Sequence, residues 1–330
     1  MPGSTSIPTT TVTKAQVSQY QKKAPLSIIR LLESHLPESL PLFRRLQFLN
    51  RSQSSDSAHV LFSHLCMHDD GRPEEVHDRT KEFVAAYIDI SRGPETEMWV
   101  YCSVEKGLIN DHPEAVAECI SGLMARAKAI LAEYPHPRPI EGSFVIGALA
   151  EPTRTLLLKY GDLEVVRDTF WDRWDFRVGD MPSTLGSPDD VLPPGFKWSA
   201  VGKEDAETAV SSTQIRRTVE TMMKLPGLAV KTYTGELVAW GFLGLDGSLI
   251  TLHCEPPYRG QGIAKKLGAK LHREQLSTFG EDGIGRADIA GDNVASQNVA
   301  KSLGAKKFSV ISWVRRFNPQ KSRDFYNGPG

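Results

Sequence analysis

An α/β chain built as two consecutive halves is what this sequence predicts, and three observations carry the prediction. Short apolar runs with strand-like alternation interleave with longer runs at helical spacing along most of the 330 residues. A stretch of Gly, Pro, Ser and paired Asp without periodicity, Val178 to Gly195, divides the pattern and ends in Pro193-Pro194-Gly195. In the second half, an Asp246-Gly247 hairpin signal leads into a strand, a double-glycine turn and a helix. The length suits two average domains. The expected division is a disordered tail (1–24), a first α/β domain (25–177), a linker (178–195), a second domain (196–318) and a short tail (319–330).

The opening residues are Ser/Thr-rich with lysines and no acids, which reads as a tail without the apolar core of a secretory signal. Leu26 to Leu36 has helical spacing, and Leu40 to Leu49 continues it. Val84 to Ile90 and Met98 to Val104 alternate as strands. Ala115 to Tyr134 is an Ala-rich helix stopped by Pro135-His136-Pro137-Arg138-Pro139. Ser143 to Leu149 reads as a strand and Pro152 to Tyr160 as a helix. The cluster Phe170-Trp171-Asp172-Arg173-Trp174-Asp175-Phe176 reads as an aromatic anchor that docks one half on the other.

In the second half, Phe196 to Val201 is a strand, followed by helices at Lys203 to Ser212 and Ile215 to Leu225. Strands at Leu228 to Thr232, Glu236 to Leu245 and Ser248 to Cys254 come next, then a helix reaching Gln275. A strand at Arg286 to Ala290, a helix at Ala295 to Leu303 and a strand at Phe308 to Val314 complete the pattern.

Composition excludes several classes. A formal net charge of -1 gives no general field for nucleic acid or an anionic membrane. No apolar stretch approaches the roughly 20 residues that span a bilayer. The four cysteines are scattered and read as reduced thiols, which suits a cytoplasmic location, with a mitochondrial one as the alternative. His64, Cys66, His68, Asp69, Asp70, His77 and Asp78 have metal-capable types, but their alternate spacing fits a strand entering an Asp-Asp-Gly turn, so no metal is expected.

Chemistry concentrates at Tyr258-Arg259-Gly260-Gln261-Gly262-Ile263-Ala264. A strand, a glycine turn and a helix start leave orphan N–H groups converging on one spot, where the helix dipole favours a phosphate. Gly260 and Gly262 allow close approach of a ligand to the main chain. A P-loop would need Gly-Lys-Ser/Thr after the glycines, and a dinucleotide fold would place the turn in a βαβ unit with an acid about twenty residues on. Neither pattern is present.

Arg259-x-x-Gly262-x-Ala264 resembles the acyl-CoA pyrophosphate signature of the GNAT superfamily of N-acyltransferases. Asn293-Val294-Ala295-Ser296 followed by Leu303-Gly304 is similar to that superfamily's second signature, and the likeness runs from Phe196 to Val314. Within the superfamily the chain looks most like glycine N-acyltransferase-like proteins, on Leu36-Pro37-Glu38-Ser39-Leu40, Val238-Ala239-Trp240 and the Pro-Pro-Tyr-Arg lead-in. The resemblance implies a GNAT fold, a mixed central sheet flanked by helices, preceded by a degenerate GNAT-like α/β half. It implies acetyl-CoA or another acyl-CoA as co-substrate. The N–H groups of Gln261, Gly262, Ile263 and Ala264 would hold its pyrophosphate, beside Gly260 and Arg259. A backbone N–H near His253 or Cys254 would stabilise the oxyanion, and Asn293 and Ser296 would lie near the pantetheine arm. Asn293 also suits a plain helix N-cap.

The chain departs from that pattern at both proton-transfer positions. The family's strand glutamate, eleven positions before Arg259, is Ser248, and its tyrosine, seven positions after Asn293, is Ala300. Asp246, His253 and Glu255 are the nearest substitutes for the base; strand alternation turns His253 away from the Ser248 side unless a bulge reverses it. A water chain, or no dedicated base, also fits. The expected activity is N-acyl transfer to a primary amine of a small molecule or amino acid. A non-catalytic acyl-CoA-binding protein and a lysine or N-terminal protein acetyltransferase are the alternatives. The sequence leaves the acceptor, the acyl length and the oligomeric state open.

Overall fold

The computed structural model describes residues 15–52, 55–65, 82–107, 113–138, 142–185 and 191–317. Two copies of one element order follow each other. The first is β1 (Ala15–Gln21), α1 (Leu26–Glu33), α2 (Leu40–Arg51), β2 (Ala58–Leu65), β3 (Phe83–Asp89), β4 (Met98–Cys102), α3 (Pro113–Glu133), β5 (Phe144–Ala150), α4 (Glu151–Tyr160) and β6 (Glu164–Arg177). The second is β7 (Phe196–Ser199), α5 (Lys203–Ser211), α6 (Val219–Lys224), β8 (Gly227–Thr232), β9 (Leu237–Leu243), β10 (Leu249–Cys254), α7 (Ile263–Gln275), β11 (Ile284–Ile289), α8 (Val294–Ser302) and β12 (Lys306–Phe317).

All twelve strands form one mixed sheet, in the order β1-β2-β3-β4-β5-β12-β6-β11-β10-β9-β8-β7. Only β4 with β5 and β10 with β11 pair in parallel. The last strand of each half has crossed to the other: β12 pairs with β5, β6 pairs with β11, and the two exchanged strands pair with each other. This exchange joins the halves by backbone hydrogen bonds rather than by side chains alone. The aromatic cluster lies on β6. Trp171 packs edge-to-face with Trp313 at 6.0 Å beside the core of the first half, while Trp174 and Phe176 join a core with α7 and α8.

Local sequence accounts for most elements. Along α3, Val116, Cys119, Ile120, Leu123, Met124, Ala127 and Ile130 form one buried stripe at spacings of three and four. On α7, Ile263, Leu267 and Leu271 repeat every fourth residue and are buried. Asp246-Gly247 turns β9 into β10 with Gly247 at φ +70°, and a Cβ there would lie 2.9 Å from Cδ of Arg44. Arg44 itself, on α2, forms a buried ion pair with Asp282 just before β11 and also donates to the Ile284 carbonyl. A charge pair buried this deeply stands only because further hydrogen bonds satisfy it.

Three expectations change. Ala15–Gln21, expected within a disordered tail, pairs with β2 over its whole length as an edge strand; its polar alternation hides it. Glu164–Arg177 is a central strand and not only an anchor. The helix expected from Ile215 begins at Val219 instead, because the Thr218 hydroxyl caps it by accepting from the Thr221 N–H at 3.0 Å. Residues 1–14, 318–330 and the central part of the linker, 186–190, lie outside the described residues.

Candidate active site

The second half opens where β10 and β11 part. Their parallel pairing is confined to Leu249 with Ala287, so the remainder of β10 has no strand partner on that side. Although β10 lies well inside the sheet, all six of its residues are only half-buried. Its pairing with β9 slips by one residue between Ile250 and His253, and Thr251 takes φ +52° there. A non-glycine residue in the left-handed region at a bulge is a costly feature that concentrates at functional sites. The Glu255 N–H bonds the Val238 carbonyl on the β9 side at 2.9 Å. By alternation, the Cys254 N–H and C=O point the other way, into the gap. The Arg259 Nε donates to that Cys254 carbonyl at 2.9 Å, placing the guanidinium at the mouth of the gap.

Beyond it, Gly260 and Gly262 have φ +81° and +78°, and Gly262 is the N-cap of α7 with no side chain capping the helix. The first-turn N–H groups of α7 therefore keep their positive end for an anion. Of the lysines on this helix, Lys266 donates to the Val191 carbonyl at 2.5 Å and Lys270 pairs with Glu274, whereas Lys265 is exposed in the first turn. Asn293 caps α8, its Oδ1 accepting from the Ser296 N–H at 3.0 Å; Ser296 is half-buried.

The proton-transfer candidates separate. Asp246 and Ser248 are buried together: Ser248 Oγ donates to Asp246 Oδ1 at 2.6 Å and the Ser248 N–H to the same oxygen at 3.2 Å. The other carboxylate oxygen takes Trp99 Nε1 and Arg286 Nη1, each at 3.2 Å. Burial opposes the charge on Asp246, yet Arg286 and these hydrogen bonds outweigh it and hold the carboxyl below its usual range. With its lone pairs committed, Asp246 is a structural anion, and Ser248 spends its proton on it. Asp288, bidentate to Arg286, is pushed up to about 6 by burial, against Arg286. His253 stands apart. Its ring stacks on Trp240 at 4.5 Å and Nε2 lies 3.7 Å from Glu255 Oε1. The bulge reverses the alternation, so His253 shares a face with Ile250 and with the Ser248 side. Ala300 is buried in the core under α8.

The equivalent place in the first half is closed. β4 is fully buried and pairs with β3 in unbroken register. The Cys102 N–H, counterpart of the Cys254 N–H, is taken by Glu105 Oε1 at 3.4 Å. The same oxygen accepts from the Thr153 hydroxyl on α4, at the position Ser296 holds on α8. Glu105 had no local signature beyond standing three residues after the end of a strand. Of the His64–Asp78 run, only His64 falls among the described residues, buried at the end of β2.

A cavity of about 340 Å³ lies between the halves, where Pro94 and Glu95 of the first face the α5–α6 loop, Thr213 to Thr218, of the second. Neither Arg217, which lines it, nor Thr251 was singled out by the sequence, which put Arg217 inside the helix expected from Ile215. Among the described residues no helix is long and apolar enough to cross a membrane.

Residues 10–174 match the family described as the acyl-CoA N-acyltransferase verG N-terminal domain. That match falls on the first half, which the resemblance implied only as a degenerate GNAT-like unit. No curated protein matches the sequence. Among solved structures, a Drosophila protein aligns over 89% of this chain and 95% of its own, at 15% identity and a TM-score of 0.60. A tandem GNAT protein from the clavulanic acid biosynthesis pathway aligns over 93% of this chain and 99% of its own, at 11% identity and a TM-score of 0.51. The fold is that of a tandem GNAT protein.

Proposed function

The chain belongs to the acyl-CoA N-acyltransferase verG N-terminal domain family, and from that premise we propose that its second half transfers an acetyl or other acyl group from acyl-CoA to a primary amine of a small molecule or amino acid. The observation that carries the proposal is the open gap beside β10, with the uncapped glycine turn of α7 at one end and the Thr251 bulge at the other. The N–H groups of Gln261, Gly262, Ile263 and Ala264 would hold the pyrophosphate, with Arg259 adding charge. The pantetheine arm would follow the β11 side of β10, toward Asn293 and Ser296 on α8.

The Cys254 N–H is our oxyanion donor, since the alternation of β10 aims it into the gap. A neutral amine attacks the thioester carbonyl; the C–N bond forms, the C–S bond breaks, and the thiolate leaves as CoA. The ammonium proton needs an acceptor. Asp246 and Ser248 are committed to each other, which leaves His253 on the reversed face of the bulge, Glu255 at 3.7 Å from its ring, or solvent at the half-buried strand. The free thiols Cys102, Cys119 and Cys254 suit a reducing, cytosolic-type compartment. The small-amine acceptor and the glycine N-acyltransferase-like subtype rest on the sequence likeness.

Thermal stabilisation by acetyl-CoA and longer acyl-CoAs, followed by thiol release over a panel of amines, tests the proposal. Both are expected. Absence of stabilisation by every CoA species would overturn it. The buried Ala300 and the committed Ser248 favour one second reading, an acyl-CoA-binding protein without transfer; stabilisation with no thiol release on any amine would establish that instead.

A further inference from the structure

The cavity between the halves contains an arginine without an acid. Arg217 is half-buried and lines the space with Glu95, Gln214, Ile215, Arg216 and Thr218. Its Nη1 donates to Thr251 Oγ1 at 3.3 Å, at the bulge of β10, and among the described residues it forms no ion pair. The two nearest acids are spoken for. Glu95 receives Arg92, the Thr218 N–H at 2.9 Å and the Thr221 hydroxyl at 3.1 Å. Asp246 is held by Arg286, Ser248 and Trp99. Desolvation draws the Arg217 pKa down from the usual arginine value, against the pull of Glu95 and Asp246. A half-desolvated guanidinium costs free energy unless an anion arrives to pair with it.

Resting on the proposed acyl transfer, we infer that Arg217 binds a carboxylate carried by a substrate, in the cavity between Glu95 and the α5–α6 loop and beside the Thr251 bulge. The cavity has the size of a small-molecule site. A planar guanidinium suits bidentate recognition of a carboxylate. Two sources would bring that group to this place: an amino-acid acceptor whose amine reaches the thioester, or an acyl group ending in a second carboxylate.

The test compares wild type with Arg217→Gln and Arg217→Lys in the full chain. One arm measures kcat/KM with acetyl-CoA for a panel of amino acids and their carboxamides. The other measures succinyl-CoA against acetyl-CoA with the carboxamides as acceptors. In one arm the carboxylate-to-neutral ratio is expected to fall at least tenfold in Arg217→Gln, through KM, with the neutral member within about twofold of wild type and partial rescue in Arg217→Lys. The arm that responds identifies the source. An unchanged ratio in both arms, or equal losses for charged and neutral members, overturns the inference. Calorimetric binding of CoA is measured on the same samples. Its loss in wild type would defeat the transfer reading itself, whereas retained CoA binding with an unchanged ratio defeats only the role of Arg217.

Discussion

The two halves carry the same strand–helix junction, and one is shut while the other is open. In the first, β4 is regular and buried, and Glu105 takes both the Cys102 N–H and the Thr153 hydroxyl. In the second, β10 is bulged and half-buried, and the residue three places after Cys254 is Pro257, which has no carboxylate to bridge the Cys254 N–H and Ser296. The fold therefore supplies two gaps of one design, and side chains decide which is usable. A carboxylate oxygen in the closed gap takes a backbone N–H and a hydroxyl, the kind of bonds a substrate carbonyl would need in the open one.

The halves also depend on each other, and the largest expected effect breaks that dependence. Asp282 receives Arg44 of the first half and the Ile284 N–H at 2.9 Å, in a fully enclosed setting. Asp282→Ala leaves a buried guanidinium unpaired, which costs about 3–5 kcal/mol. Chemical denaturation of the full chain should show the midpoint fall accordingly. A loss under about 1 kcal/mol would mean the exchanged strands alone hold the halves together.

Two substitutions address the open gap. Gly262→Asp puts a carboxylate and a Cβ at φ +78°, where the pyrophosphate is proposed to sit; CoA affinity measured by calorimetry should drop about 100-fold. Gly107→Asp, also at positive φ with open space around it in the closed half, should leave that affinity unchanged. Equal losses in both would remove the distinction between the halves. Pro257→Glu is a smaller perturbation. It places a carboxylate three residues after Cys254, as Glu105 stands after Cys102, and should raise the KM for acyl-CoA about tenfold by competing for the Cys254 N–H. No change in KM would show that this N–H lies off the substrate's path.

Much of this was legible in the sequence, for physical reasons. The glycine turn, the Asp246-Gly247 hairpin and the helical stripes are local, since a φ requirement or a periodicity marks each within a few residues. What escaped is long-range. β1 is polar because it lies at an edge, and β6 reads as an aromatic cluster because its alternate residues enter two different cores. The exchange of β6 and β12 leaves no trace in either strand. Asp246 and His253 were adjacent candidates in the chain, but one is fixed to Arg286 and Trp99 from distant elements and the other stacks on Trp240. Glu105 as a plug and Arg217 as an unpaired cation become visible only when a third element closes over them.

The smallest expected effect concerns that plug. Burial of the Glu105 carboxyl pushes its pKa up from the ordinary glutamate value to about 7, against the hydrogen bonds from Thr153 and the Cys102 N–H. The folded chain therefore holds this proton more tightly than the unfolded one. Its contribution is complete below the ordinary glutamate pKa and is lost as pH rises to about 7. Glu105→Gln keeps the size and an oxygen acceptor but cannot ionise. Its stability relative to wild type should rise between pH 5 and pH 8 by on the order of 1–2 kcal/mol, read from urea midpoints at several pH values. A difference that stays flat over that range would mean Glu105 is ionised in the fold, with the plug acting as an anion facing the Cys102 N–H. CoA binding should be unaffected by the substitution at every pH, because the closed half has neither the glycine turn nor the bulge that the open half brings to its ligand.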